Sequence, residues 1–274
     1  MRSALQIPVP LRRAIDADSL CRDHPCDSLS ILGSFWPNSA KSFESRLVKA
    51  FKESDPVALS QPHISRLCEF YADSISRVLK GERFDWVARV LGSAEAAADR
   101  SRPQGLLVDV ICARTGARDI THLFHRSGSR PPMRTVPRLS GPDALRARIR
   151  YVVQDLFIKP AQLGGSVLLV DDIVNTGASV RVYARALKDH AGVERVLCVN
   201  LAATRFARGK DGHGTLKLGL LGLERHPALA QVWVSSDSVF HSNGSCPLLA
   251  PRPRVEVRFV AERTSAACPR CAGR

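Results

Sequence analysis

Residues 167–180 read VLLVDDIVNTGASV. Four apolar residues lead into adjacent carboxylates, Asp171 and Asp172, and after Ile173 and Val174 the string Asn175-Thr176-Gly177-Ala178-Ser179 opens an amphipathic stretch. A short apolar run that ends in a Gly-containing turn before a helical pattern reads as a buried strand, a turn and a helix. At such a junction successive backbone N–H groups point outward, with the positive end of the helix dipole behind them. A phosphate dianion suits that arrangement. Gly177 lets the main chain come close to the phosphate, and Thr176 and Ser179 add hydroxyl donors without bulk. Carboxylates at the carboxyl end of a strand lie in the crevice where open α/β sheets bind ligands. Neighbouring Asp side chains there can accept hydrogen bonds from two vicinal ribose hydroxyls.

Outward from this segment the chain alternates. Strands are expected at 84–91, 120–124, 166–170 and 196–201, and helices at 104–115, 142–150 and 178–190. That order predicts an α/β fold with a parallel sheet covered by helices on both faces. Upstream, apolar residues at helical spacing over 43–79 predict two amphipathic helices separated by SDPVALSQP, with Pro62 in the first turn of the second. Residues 1–40 are rich in turn formers and read as irregular. Past Thr204 the polar stretch RFARGKDGHGT marks a boundary, and period-2 segments follow at 232–239 and 255–260. The expected organisation is an irregular and helical N-terminal hood at 1–80, an α/β domain at 81–208 and a small β-rich module at 228–274.

Composition narrows the function classes. The 274 residues are 45% hydrophobic and 24% charged, values of a globular chain rather than a disordered or fibrous one. The longest apolar runs fall far short of the roughly 20 residues that span a bilayer, so no membrane partner is expected. The N-terminus lacks the apolar core of an export signal, and a soluble, cytoplasmic protein is expected. Forty Lys and Arg against 26 Asp and Glu leave a net charge of +14, which favours phosphate-bearing partners, either nucleic acid or phosphorylated metabolites.

Eight cysteines without an export signal argue for metal ligands or buried thiols rather than a disulfide framework. His241, Cys246, Cys268 and Cys271 are spaced H-x4-C-x21-C-x2-C. A C-x2-C pair aims both thiolates at one point, and a His and a Cys from a turn after a strand complete a Cys3His tetrahedron for structural Zn2+. A metal makes physical sense in a module too small to carry a sufficient core. Cys68, Cys112 and Cys198 lie in apolar runs and read as core thiols, whereas His63, His122, His125, His190 and His226 show no visible partner. Arg252, Arg254, Arg258, Arg263, Arg270 and Arg274 leave two readings open, a DNA-binding face beside the zinc site or a solvated strand face.

The strand, the acidic pair, the two apolar residues and the Thr-Gly loop together resemble the signature of the type I phosphoribosyltransferases. More narrowly, the order of features resembles the ComF branch of competence-associated proteins. The features are the helical lead-in LVKAFKESDPVAL, Arg130 to Pro132 before a helix, and CVNLAATR after the motif helix. The resemblance covers roughly residues 43–205. It implies the type I phosphoribosyltransferase fold and a site for phosphoribosyl pyrophosphate (PRPP). Asp171 and Asp172 would contact the ribose, and Asn175, Thr176, Gly177, Ala178 and Ser179 would hold the 5′-phosphate. It also implies Mg2+ on the pyrophosphate and transfer of the phosphoribosyl group to an acceptor. A non-catalytic PRPP or nucleotide sensor that binds DNA is the other reading of the same pocket. Arg134 and Arg138 are candidates to close over the pyrophosphate, or are solvated loop arginines.

Two departures concern the pyrophosphate side. ComF-type strands there read Val-Pro-Val-Pro, where this chain has Val87-Ala88-Arg89-Val90-Leu91 before Gly92-Ser93, and the following basic segment is Arg100-Ser101-Arg102-Pro103-Gln104. The N-terminal zinc finger of that branch is reduced to Cys21 and Cys26, too few to close a tetrahedral site. The C-terminal segment resembles the zinc-binding module of Ada-type DNA-alkylation repair proteins, with Phe240 before the first ligand and a small-residue run at 261–267. His241 replaces the Cys of that module's first ligand position, which suits a structural site.

Overall fold

The computed structural model describes residues 7–36, 43–52, 61–128, 130–131, 141–204, 226–227, 229–235, 239–249, 254–259 and 268–272. The N-terminal segment forms β1 (Val9–Pro10), α1 (Leu11–Ala14), α2 (Ala17–Arg22), β2 (Ser28–Phe35), α3 (Phe43–Lys52) and α4 (Gln61–Leu79). The middle carries β3 (Trp86–Arg89), α5 (Pro103–Thr115), β4 (Arg118–Asp119), a 3-10 turn at Thr121–Leu123, β5 (Phe124–Arg126), α6 (Gly141–Val153) and β6 (Leu156–Ile158). Then come β7 (Ser166–Val174), α7 (Ala178–Ala191) and β8 (Arg195–Thr204). The C-terminal part holds β9 (Leu229–Val234), β10 (Phe240–His241), β11 (Arg254–Phe259) and α8 (Pro269–Ala272).

The central sheet has five strands in the order β2-β8-β7-β3-β4, and every pairing in it is parallel. Side chains of a strand alternate between faces, and the burial follows that alternation. Val167 and Leu169 of β7 join Val196 and Cys198 of β8 in a core closed by Ile149 and Val152 of α6 and Tyr183 and Leu187 of α7. Leu168 and Val170 join Leu197 and Val199 in a second core, closed by residues of α3, α4 and α5 that include Phe51, Tyr71 and Leu107. Helices therefore cover both faces. A strand buried on both sides reads as a continuous apolar run, which is why VLLV shows no period of two.

Several expectations change. Residues 1–40 are not irregular throughout, because β2 pairs in parallel with β8 and forms one edge of the central sheet. Its Leu32 is buried, whereas Leu29 and Ile31 are exposed, so the sequence lacks the apolar density of an inner strand. The strand expected at 120–124 is a 3-10 turn followed by β5. Asp119 Oδ1 accepts from the Thr121 amide at 2.8 Å and starts that turn. β5 then belongs to a small antiparallel sheet ordered β1-β6-β5. The strand expected to stop at residue 170 continues to Val174, paired with β8 as far as Ala203.

The C-terminal strands form a separate antiparallel sheet, β10-β9-β11. The first period-2 segment, expected to run to residue 239, ends at Val234. Among the described residues no helix is long and apolar enough to cross a membrane.

Candidate functional site

β7 occupies the middle of the central sheet, and its carboxyl end delivers the acidic pair and the turn at 175–177 to α7. Gly177 takes the helix-capping position in a left-handed conformation, φ 78° and ψ 9°, where a side chain is strained. With glycine there, no side chain caps the first-turn N–H groups of α7. A Cβ at Gly177 would meet only Val174 Cγ2, at 3.9 Å, so the turn is open around it. Asn175 is exposed and Thr176 and Ser179 are half-buried, whereas Ala178 points into the core and offers only its backbone. The loop thus keeps amides and hydroxyls on its outer side.

The two carboxylates have different surroundings. Asp171 is 8% exposed. Burial pushes its carboxyl well above the ordinary range, and the neighbouring charge of Asp172 adds to the effect, against a smaller opposing pull from Lys52. Asp171 Oδ1 accepts from the Asp172 amide at 2.9 Å. Asp172 Oδ1 in turn accepts from the Ile173 amide at 2.6 Å. Lys52, the last residue of α3, reaches Asp172 Oδ2 at 3.1 Å, with 54% of its side chain exposed. An ion pair so wet is worth about 0–1 kcal/mol, so an incoming hydroxyl can displace the ammonium. Asp172 is the accessible acceptor, and Asp171 is the buried support behind its backbone.

The loop after β3 flanks this site, because β3 pairs with β7 with Arg89 opposite Val170. Arg89 is buried and bonds Glu95 through both outer guanidinium nitrogens, at 2.9 and 2.6 Å. Burial alone would raise the Glu95 carboxyl, but Arg89 and the amides of Gly92 and Asp99 more than offset this and hold it below its ordinary value. Arg126, also buried, donates to the carbonyls of Leu91, Gly92 and Glu95. Arg100 pairs with Asp109, and Arg102 Nε lies 3.5 Å from Asp99. Arg134 and Arg138 lie outside the described residues.

The protein's own oxygen ligands for Mg2+ beside the turn would be the carboxylates of Asp171 and Asp172, of which burial raises the pKa of Asp171 while Asp172 carries a weak, wet pair with Lys52.

The C-terminal cluster fits a metal well. The ligand atoms of His241, Cys246, Cys268 and Cys271 all lie within 4.8 Å of one another. Cys246 and Cys268 Sγ are 3.9 Å apart, and Cys271 Sγ lies 4.0 Å from His241 Nδ1. Tetrahedral Zn–S bonds of about 2.3 Å require sulfurs about 3.8 Å apart. β10 supplies His241, the following turn supplies Cys246, and Cys268 and Cys271 flank the start of α8, tied back by the Cys268 amide on the Phe240 carbonyl at 2.8 Å. Cys21 and Cys26 take no part, since they pack against the core beside α7, with Cys26 next to Cys198.

Other sequence readings resolve more simply. Cys68 and Cys198 are fully buried and Cys112 half-buried, with burial pushing the Cys68 thiol up to about 12 and that of Cys112 to about 11. His226, which showed no partner in the sequence, bonds Asp73 Oδ2 at 2.8 Å. Of the basic C-terminal side chains only that of Arg270 is described, and it is exposed. Sequence reasoning missed Lys52, Glu95, Arg126 and Tyr183. Their partners lie far along the chain or in a loop without periodicity, and the one available signal was an arginine inside the apolar run of β3.

No protein-family model and no curated protein matches the chain. The solved structures similar to part of it include two adenine phosphoribosyltransferases. An adenine phosphoribosyltransferase shares 16% identity over 52% of this chain and 69% of its own, with a TM-score of 0.32. Adenine phosphoribosyltransferase from Saccharomyces cerevisiae, complexed with an imino-altritol bisphosphate and adenine, shares 16% identity over 53% of this chain and 72% of its own, with a TM-score of 0.33.

Proposed function

We propose that this chain is a phosphoribosyltransferase-like protein that binds the ribose and 5′-phosphate of PRPP or a related phosphorylated ribose. The observation that carries the reading is the open turn at Gly177, set at the carboxyl end of a central parallel strand beside an acidic pair. The amides of the first turn of α7, with the Thr176 and Ser179 hydroxyls, take the phosphate. Asp172 accepts the vicinal hydroxyls once Lys52 moves aside, and Asp171 fixes the backbone that aims it. The ComF-type reading of the α/β part, the Ada-type reading of the C-terminal part, the division into a hood at 1–80, a domain at 81–208 and a module at 228–274, and a cytoplasmic location belong to the same proposal. In the module, His241, Cys246, Cys268 and Cys271 would hold Zn2+, which supplies structural cross-linking.

Calorimetric titration of ribose 5-phosphate and PRPP tests the site. Asp172→Asn removes a charged acceptor worth about 1.5–3 kcal/mol, so affinity should fall by about 10- to 100-fold. Asp171→Asn keeps a neutral acceptor and should cost less than about threefold. Unchanged affinity in an Asp171→Asn/Asp172→Asn double variant would remove the assignment.

A further inference from the structure

A second phosphate at the anomeric end of the sugar would lie beside the carboxyl end of β7, and the loop after β3 is a described flank there. Its first three amides are already taken. The Val90 amide bonds the Val170 carbonyl at 3.0 Å, the Leu91 amide bonds the Tyr183 hydroxyl at 3.1 Å, and the Gly92 amide bonds Glu95 Oε2. Glu95 behaves as a resident anion. It is buried, ionised below the ordinary range, and gripped by Arg89. A Cβ at Gly92 would stand 2.9 Å from its Oε2, so the glycine here admits the chain's own carboxylate. Arg126 holds the same loop by its carbonyls.

We propose that the site selects a ribose 5-phosphate monoester over the 1-pyrophosphate ester of the same sugar, because Glu95, a carboxylate of the chain itself, holds the Gly92 amide and Arg89 on the anomeric flank. This rests on the phosphoribose reading of the turn at 175–179. A pyrophosphate at the Gly92 amide would have to displace a buried, charge-assisted pair in which both outer nitrogens of Arg89 bond Glu95. The ligand's chemistry is a phosphate monoester on a ribose with free 2′- and 3′-hydroxyls, met both by the free sugar phosphate and by a nucleoside 5′-monophosphate.

Calorimetry on the full, zinc-loaded chain with ribose 5-phosphate, AMP and PRPP, each with and without Mg2+, distinguishes the cases. The tighter of the two monoesters should match or exceed PRPP, and Mg2+ should change PRPP affinity by less than about threefold. PRPP bound at least about tenfold tighter than both monoesters in the presence of Mg2+ overturns the selectivity and leaves the phosphoribose site standing. Absence of binding by all three ligands overturns both.

Discussion

Asp171 and Asp172 are the same residue type in adjacent positions, yet burial raises the carboxyl of one and leaves the other accessible as an acceptor. The difference has a pH signature. The folded-state pKa of Asp171 is raised, so the folded chain holds a proton that the unfolded chain has released. Its contribution to stability is complete below the ordinary carboxylate range and is lost as pH rises through the raised folded value. Denaturant unfolding across acidic to neutral pH should therefore show the wild type losing stability relative to Asp171→Asn as pH increases. Parallel curves would contradict the burial argument. The pair itself was legible, because its position after an apolar run fixes it at the end of a strand. Which member is buried was not, since that depends on Lys52 arriving from α3 and on the helix packed against the opposite face.

Among the elements, β7 and α7 were legible because a strand buried on both faces and an amphipathic helix each leave a strong local pattern. β2 was not, since an edge strand that alternates serine with partly exposed apolar residues looks like a loop until β8 pairs with it. The loop after β3 was legible only as a departure from a familiar pattern. Its closure depends on Arg126 and Tyr183, which lie 35 and 92 residues from Leu91.

The C-terminal strands show the opposite case. Four ligands written plainly in the sequence do meet, on elements whose described apolar core is only Val232, Val234 and part of Phe240. A metal on these four side chains would add cross-linking where the described apolar core is this small. Elemental analysis should find about one zinc per chain, and a Cys268→Ser/Cys271→Ser variant should lose it together with the near-ultraviolet signal of Trp233 on β9. Stoichiometric zinc in that variant would contradict the ligand set.

At the scale of the whole molecule, two apolar cores hold one parallel sheet between helical layers, and that rigidity lets a turn at the sheet's carboxyl edge keep its amides open toward solvent. The net charge of +14 favours anionic ligands in general without choosing among them. In the proposed reading, selection falls to the turn, the acidic pair and the loop after β3. A crystal soaked with ribose 5-phosphate tests this most directly. The phosphoryl group should lie within hydrogen-bonding reach of the amides that open α7, with the 2′- and 3′-hydroxyls on Asp172. Density elsewhere, or a ligand bound with Lys52 still seated on Asp172, would contradict it.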